Sequence, residues 1–135
     1  MAADAPRYRK RIITITATGA TTVGRVGIGG TKYARLMGLR GLITSGTDTS
    51  TTITVADALG KVLMVTPSTD FTVAKNIFFN QDDTSPGTGI TLQDASGAAA
   101  AAGQLFNIVA EGPFTVTWGT ATTGEKIRVE LYMEV

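Results

Sequence analysis

From Pro113 to Val135 the chain alternates apolar and polar residues with a period of two. Phe114, Val116 and Trp118 are interleaved with Thr115 and Thr117; Ile127, Val129, Leu131, Met133 and Val135 are interleaved with Arg128, Glu130, Tyr132 and Glu134. Successive side chains of a strand point to opposite faces, so each arm has one apolar and one polar face. Between them lies Gly119-Thr120-Ala121-Thr122-Thr123-Gly124-Glu125, whose two glycines suit the positive φ angles of a chain reversal. The stretch therefore reads as one long β-hairpin. Its second arm, Ile127 to Val135, stacks five apolar side chains that need a facing sheet to cover them, and the rest of the chain is read as that cover.

A chain of 135 residues suits one domain, able to bury roughly two-thirds of its extended surface. With 43% hydrophobic and 17% charged residues, it has the composition of a globular core. Twelve basic against eleven acidic residues leave a net charge of +1, too small for a general attraction to nucleic acid or membrane. There is no cysteine and no histidine. Disulfides, thiolate chemistry, zinc sites built on those residues and histidine-dependent triads are excluded by residue type within this chain, and no cofactor is expected. Met1 to Arg7 carries charge where a signal peptide needs an apolar run, and no stretch approaches the ~18 apolar residues of a spanning helix. Synthesis and folding in a cytoplasm are expected.

Arg7, Tyr8, Arg9, Lys10 and Arg11 place four cations around one aromatic ring. They read either as the solvated start of the first strand or as a basic arm over residues 1–11 that docks on a neighbouring subunit or on phosphates. Ile12 to Thr18 follows as a strand and Gly19 to Thr22 as a turn, with a single β domain expected over 12–135. Val23 to Lys32 is rich in glycine but is no phosphate loop. Lys32 follows Thr31 instead of preceding it, and it occupies the place of the third glycine of a dinucleotide motif. A glycine-rich strand and turn fits better. In Tyr33 to Ile43, Gly38 and Gly41 disfavour helix, so a strand is expected.

Ile53-Thr-Val-Ala-Asp-Ala-Leu-Gly60 and Ile90-Thr-Leu-Gln-Asp-Ala-Ser-Gly97 share one pattern: a short strand that runs into a four-residue turn. Asp57 and Asp94, at the first turn position, suit bonds to backbone amides two residues on, which gives them a structural role ahead of a catalytic one. Lys61 to Thr66, a continuous apolar run, is expected to be a central strand covered on both faces. Phe71 to Phe79 is expected to be another strand. Asn80 to Gly89 is a surface loop, and Asp82 and Asp83 lack the ligand spacing of an EF-hand. Ala98 to Ala102 supports at most one helical turn. Phe106 and Ile108 precede the turn at Glu111-Gly112-Pro113.

Short strands at intervals of about ten residues, separated by turn signals, define an all-β chain: an antiparallel β-sandwich or a jelly-roll-like barrel. Glu111, Glu125, Glu130 and Glu134 form the pool for an acid–base pair, but nothing in the sequence sets one beside a nucleophile, and no enzyme is expected. Trp118, on the apolar face of its strand, belongs to a core before it belongs to a sugar platform.

The run from Thr51 to Val135 combines the Asp-Ala-x-Gly turn, Gly89-Ile-Thr-Leu-Gln-Asp-Ala-Ser-Gly97, Glu111-Gly-Pro-Phe-Thr-Val-Thr-Trp-Gly119, a Thr/Gly loop and Ile127-Arg-Val-Glu-Leu-Tyr-Met-Glu-Val135. It resembles the small structural proteins of tailed bacteriophages that decorate, or cement, the capsid. The resemblance implies a virion protein on the outer capsid surface, a homotrimer whose partner is the major capsid protein, with no catalytic residue. The basic segment Arg7 to Arg11 is the candidate contact, expected to order on acidic groups of the capsid. Other expectations compatible with the sequence are a head-fibre base or tail protein, and a carbohydrate-binding or adhesive β-module using Trp118, Tyr132, Tyr33 and Tyr8. Nucleic-acid binding rests on the basic segment alone, and no membrane role is expected.

Overall fold

The computed structural model describes residues 8–28, 32–66, 68–78 and 109–135. They form nine strands: β1 (Tyr8–Thr16), β2 (Thr21–Val26), β3 (Tyr33–Ser45), β4 (Thr52–Ala56), β5 (Val62–Val65), β6 (Lys75–Phe78), β7 (Val109–Glu111), β8 (Phe114–Gly119) and β9 (Lys126–Glu134). The first sheet has the order β1-β9-β3-β6, with β7 also on β3; the second has the order β2-β8-β4-β5. Every pairing is antiparallel. The fold is an antiparallel β-sandwich, and the two sheets do not close into a barrel.

The C-terminal arms are not a hairpin. β8 pairs with β2 and β4 in the second sheet, whereas β9 pairs with β1 and β3 in the first. The loop between them crosses from one sheet to the other. The reason is the alternation itself. Side by side, the two arms would turn both apolar faces to the same side; in opposite sheets the faces cover each other. Phe114, Val116 and Trp118 from β8 and Ile127, Val129, Leu131 and Met133 from β9 are all fully buried. The reversal uses Thr120 (φ 59°) and Gly124 (φ 93°), while Gly119 stays in its strand.

The β1–β2 connection makes the same crossing, and the two arches stack. Ala17 donates its N–H to the Glu125 carbonyl (2.8 Å), Gly124 to the Ala17 carbonyl (2.8 Å) and Ala121 to the Ala20 carbonyl (3.1 Å). Because β1 pairs along its whole length with β9, and β2 with β8, each arch braces the other.

The β4–β5 turn forms as its sequence requires. One Asp57 carboxylate oxygen accepts the N–H groups of Leu59 (3.0 Å) and Lys61 (2.8 Å), and Gly60 sits at φ 86°. Asp57 is thus a structural residue; its counterpart Asp94 lies outside the described residues. β5 itself is not central: it is the outermost described strand of the second sheet. A bulge opposite Val55 and Ala56 leaves Leu63 between the pairs Val55–Met64 and Ala56–Val62. Leu63 and Met64, although successive, are both buried, so the apolar run that suggested two covered faces reflects a bulge.

The strand expected from Phe71 starts only at Lys75. Asp70 accepts the Thr72 N–H (2.9 Å), which closes a turn and directs Phe71 into the core with no exposure. Room for that ring is made by Gly41 of β3: a Cβ there would lie 2.6 and 2.7 Å from two Phe71 ring carbons.

From Tyr8 onward the basic segment is a strand and not an arm. Tyr8 to Arg11 are the first four residues of β1, registered against Glu134 to Leu131 of β9, so the boundary expected between residues 11 and 12 falls inside a strand. Arg7, Phe79, Asp82, Asp83, the second Asp-Ala-x-Gly turn, the alanine run, Phe106 and Ile108 lie outside the described residues.

Candidate interaction surface

The strand period divides the basic segment between two faces. Tyr8 and Lys10 stand on the outer face of the first sheet; Arg9 and Arg11 point toward the open side of the sandwich. Arg9 donates to the Ile28 carbonyl at 2.7 Å. Arg11 is half-buried, and its covered Nε has no acceptor among the described residues. Inward cations on a strand that is outermost among the described residues hinder its pairing with another sheet.

Cross-strand register builds rows on the outer face of the first sheet. Tyr8, Glu134, Arg35 and Val109 form one row; Lys10, Tyr132 and Gly38 the next; Ile12, Glu130, Arg40 and Asn76 the third; Thr14, Arg128 and Leu42 the fourth. Lys126 continues the face beyond Arg128. Lys10, Arg35, Arg40, Lys126 and Arg128 thus share one surface on which, among the described residues, the carboxylates are Glu130, Glu134 and, at the end of the sheet, Glu111. The outer face of the second sheet has a different character: Thr52, Thr54, Thr115 and Thr117 dominate it, with Arg25 as its cation on β2.

Glu130 is the centre of the charged face and is only 7% exposed. It accepts from the Tyr132 hydroxyl (3.0 Å) and from Arg128 Nη2 (3.1 Å), with Lys10 Nζ at 3.6 Å. Burial pushes its carboxyl up, but the Tyr132 hydroxyl, Lys10 and Arg128 together outweigh burial and hold it below its ordinary value. The Tyr132 hydroxyl is raised, first by burial and then by the neighbouring Glu130 charge.

Because the folded-state value for Glu130 is depressed, its contribution is present above about pH 4.5 and is lost as pH falls through the lower folded value. Glu130→Gln is expected to cost about 1 kcal/mol at neutral pH. Chemical unfolding of both proteins from pH 7 to 3 checks this: the gap between them should narrow in acid, and a gap constant with pH would contradict the ionic account.

Three shallow hollows open on this sheet. One of about 320 Å³ lies among Tyr8, Lys10, Met37 and Tyr132. A second, about 240 Å³, lies among Arg40, Leu42, Arg128 and Glu130. The third, about 250 Å³, lies at the end of the sheet among Tyr33, Arg35, Val109 and Glu134. Met37 reaches the first because β3 has a bulge between Leu36 and Gly38, which gives an extra residue to this face.

Of the other candidates from the sequence, Glu134 and Glu111 lie at one end of the same face and Glu125 in the β8–β9 connection. Glu111 faces Lys32 at 3.7 Å, Glu125 accepts the Thr47 N–H at 3.1 Å, and Glu134 pairs with Arg35. Each is committed to a different contact. Among the described residues no three Asp or Glu side chains gather where a metal ion could be held. Trp118 is fully buried and offers no ring to a ligand, whereas Tyr8 and Tyr33 are exposed. Arg35, Arg40 and Met37 were missed in the sequence. Their one local signal is the polar alternation of β3, and their neighbours on β9 lie some 90 residues along the chain. Compared with protein-family models, curated proteins and solved structures, the chain matches none.

Proposed function

We propose that the protein is a virion structural protein that decorates and cements a bacteriophage capsid, acting as a homotrimer on the outer surface and bridging major capsid subunits. The observation that carries this reading is the outer face of the first sheet, where five basic side chains and three hollows lie on one broad surface. A face of this kind suits docking against an acidic protein surface. The sandwich behind it is braced by two stacked arches and contains no thiol, so its rigidity is independent of redox state. The resemblance of Thr51 to Val135 to phage decoration proteins supplies the identity of the partner.

The test is sedimentation of the protein with undecorated capsids of the phage that encodes it, followed by heating. Co-sedimentation at saturable stoichiometry and a higher temperature of capsid disruption are expected, with a trimer mass by light scattering. Absence of both effects would overturn the reading.

A further inference from the structure

We propose that the two adjoining hollows on the outer face of the first sheet act as one composite groove for an extended, acidic segment of the partner. An apolar side chain of that segment seats among Tyr8, Met37 and Tyr132, and a carboxylate four residues away seats between Arg40 and Arg128. This rests on the capsid-decoration reading for the partner's identity and adds the chemistry by which it is recognised.

The spacing comes from β9. Tyr132 and Arg128 project from the same side of one strand and are four residues apart, about 13 Å at the strand rise. An extended partner segment presents its own residues i and i+4 on one side at the same interval, so both hollows can be filled at once. The floor is low where it needs to be. Gly38 faces Tyr132 in register and carries no side chain, and the adjoining bulge turns Met37 to the rim.

Charge selects the class of occupant. Lys10, Arg40 and Arg128 surround the groove, and Glu130 between them is largely covered and already satisfied by Tyr132, Arg128 and Lys10. It therefore fixes the positions of two cations without offering a free negative charge. Preorganised cations beside an apolar hollow favour a ligand that carries an apolar group and an anion at fixed spacing. A nucleic-acid backbone offers a continuous track of phosphates instead of one anion at a fixed distance from an apolar side chain.

The experiment compares wild type, Arg40→Glu/Arg128→Glu and Met37→Asp with Arg25→Glu on the opposite sheet as a charge-reversal control. Folding of each is verified by circular dichroism and unfolding midpoint. The probes are the undecorated capsid and a dodecapeptide with Phe and Glu four residues apart, alongside the same peptide with the two residues adjacent and a single-stranded oligothymidylate. Capsid affinity should fall at least about tenfold in both groove variants and stay within about twofold of wild type in the control. The correctly spaced peptide should shift the amide signals of Met37, Arg40, Arg128 and Tyr132 in wild type and those of the same residues in the Arg25→Glu control, but produce no such shifts in the groove variants.

Unchanged capsid binding by folded groove variants would overturn the groove and leave the decoration reading standing. Peptide binding at these residues without capsid binding would support the groove and remove the capsid. Equal shifts with both peptides, or displacement of the peptide by oligothymidylate at low salt, would overturn the proposed acidic-segment specificity.

Discussion

Trp118→Ala is expected to cost about 3–5 kcal/mol, the largest loss from any single truncation among the described residues. Trp118 is the largest of the fully buried side chains and projects from β8, which has strands on both sides. Its cross-strand partners are Thr22 on β2 and Ile53 on β4, so the cavity left by alanine is walled by paired backbone that cannot collapse into it. The indole has a second property. Its N–H is buried without an acceptor among the described residues, an arrangement that costs free energy. Trp118→Phe removes that donor and keeps most of the volume, so it should cost far less than the alanine change. Urea unfolding of the two variants measures the difference. Equal losses would mean that the indole N–H has a partner and that its loss, not the cavity, sets the cost. The same burial predicts blue-shifted tryptophan emission that iodide does not quench.

Gly41→Val is expected to destabilise by about 3 kcal/mol, through excess volume rather than a void. Gly41 lies in the middle of β3 opposite Val129 and faces the core. A Cβ at this position would approach the Phe71 ring to 2.6 Å and Ile53 Cδ1 to 3.2 Å, and Phe71 is fully enclosed, so the ring has nowhere to retreat. Phe71 is also held through its backbone, since its carbonyl accepts the Ile43 N–H at 2.7 Å. Shortening the obstructing ring should relieve the clash. Phe71→Leu alone leaves a cavity, but combined with Gly41→Val it should cost clearly less than the sum of the two single changes. Strict additivity of the three unfolding free energies would show that the glycine is there for a backbone reason and not to admit the ring.

These two sites bear on the proposed function because the charged face is the reverse side of the same core. Glu130, Tyr132 and Arg128 alternate along β9 with Val129 and Leu131, which pack against the second sheet. Rotation of β9 by one residue would exchange the charged row for the apolar one, so the face is only as well fixed as the core beneath it. The stacked arches add a second restraint. They hold the far ends of β1 and β9 together, and with them Lys10 opposite Tyr132.

Much of the strand content was legible because it depends on neighbours two to four residues apart. The alternation in β8 and β9, the Asp57–Gly60 turn and the glycines that keep β3 extended each follow from local side-chain direction and backbone freedom. So does the exclusion of thiol and imidazole chemistry, which needs only residue types. What the tertiary structure decided was which strand lies beside which. A period of two says that β8 and β9 each have an apolar face, but not whether those faces lie side by side or opposed, and the demand for mutual cover settled that in favour of two sheets. The same holds for β5, whose bulge made the outermost described strand resemble a central one, and for Tyr8 to Arg11, which are divided between two faces once β1 is registered on β9. The charged face needed three strands from distant parts of the chain, Lys10 from β1, Arg40 from β3 and Glu130 from β9, and the free energy that aligns them comes from burying the opposite side of each strand.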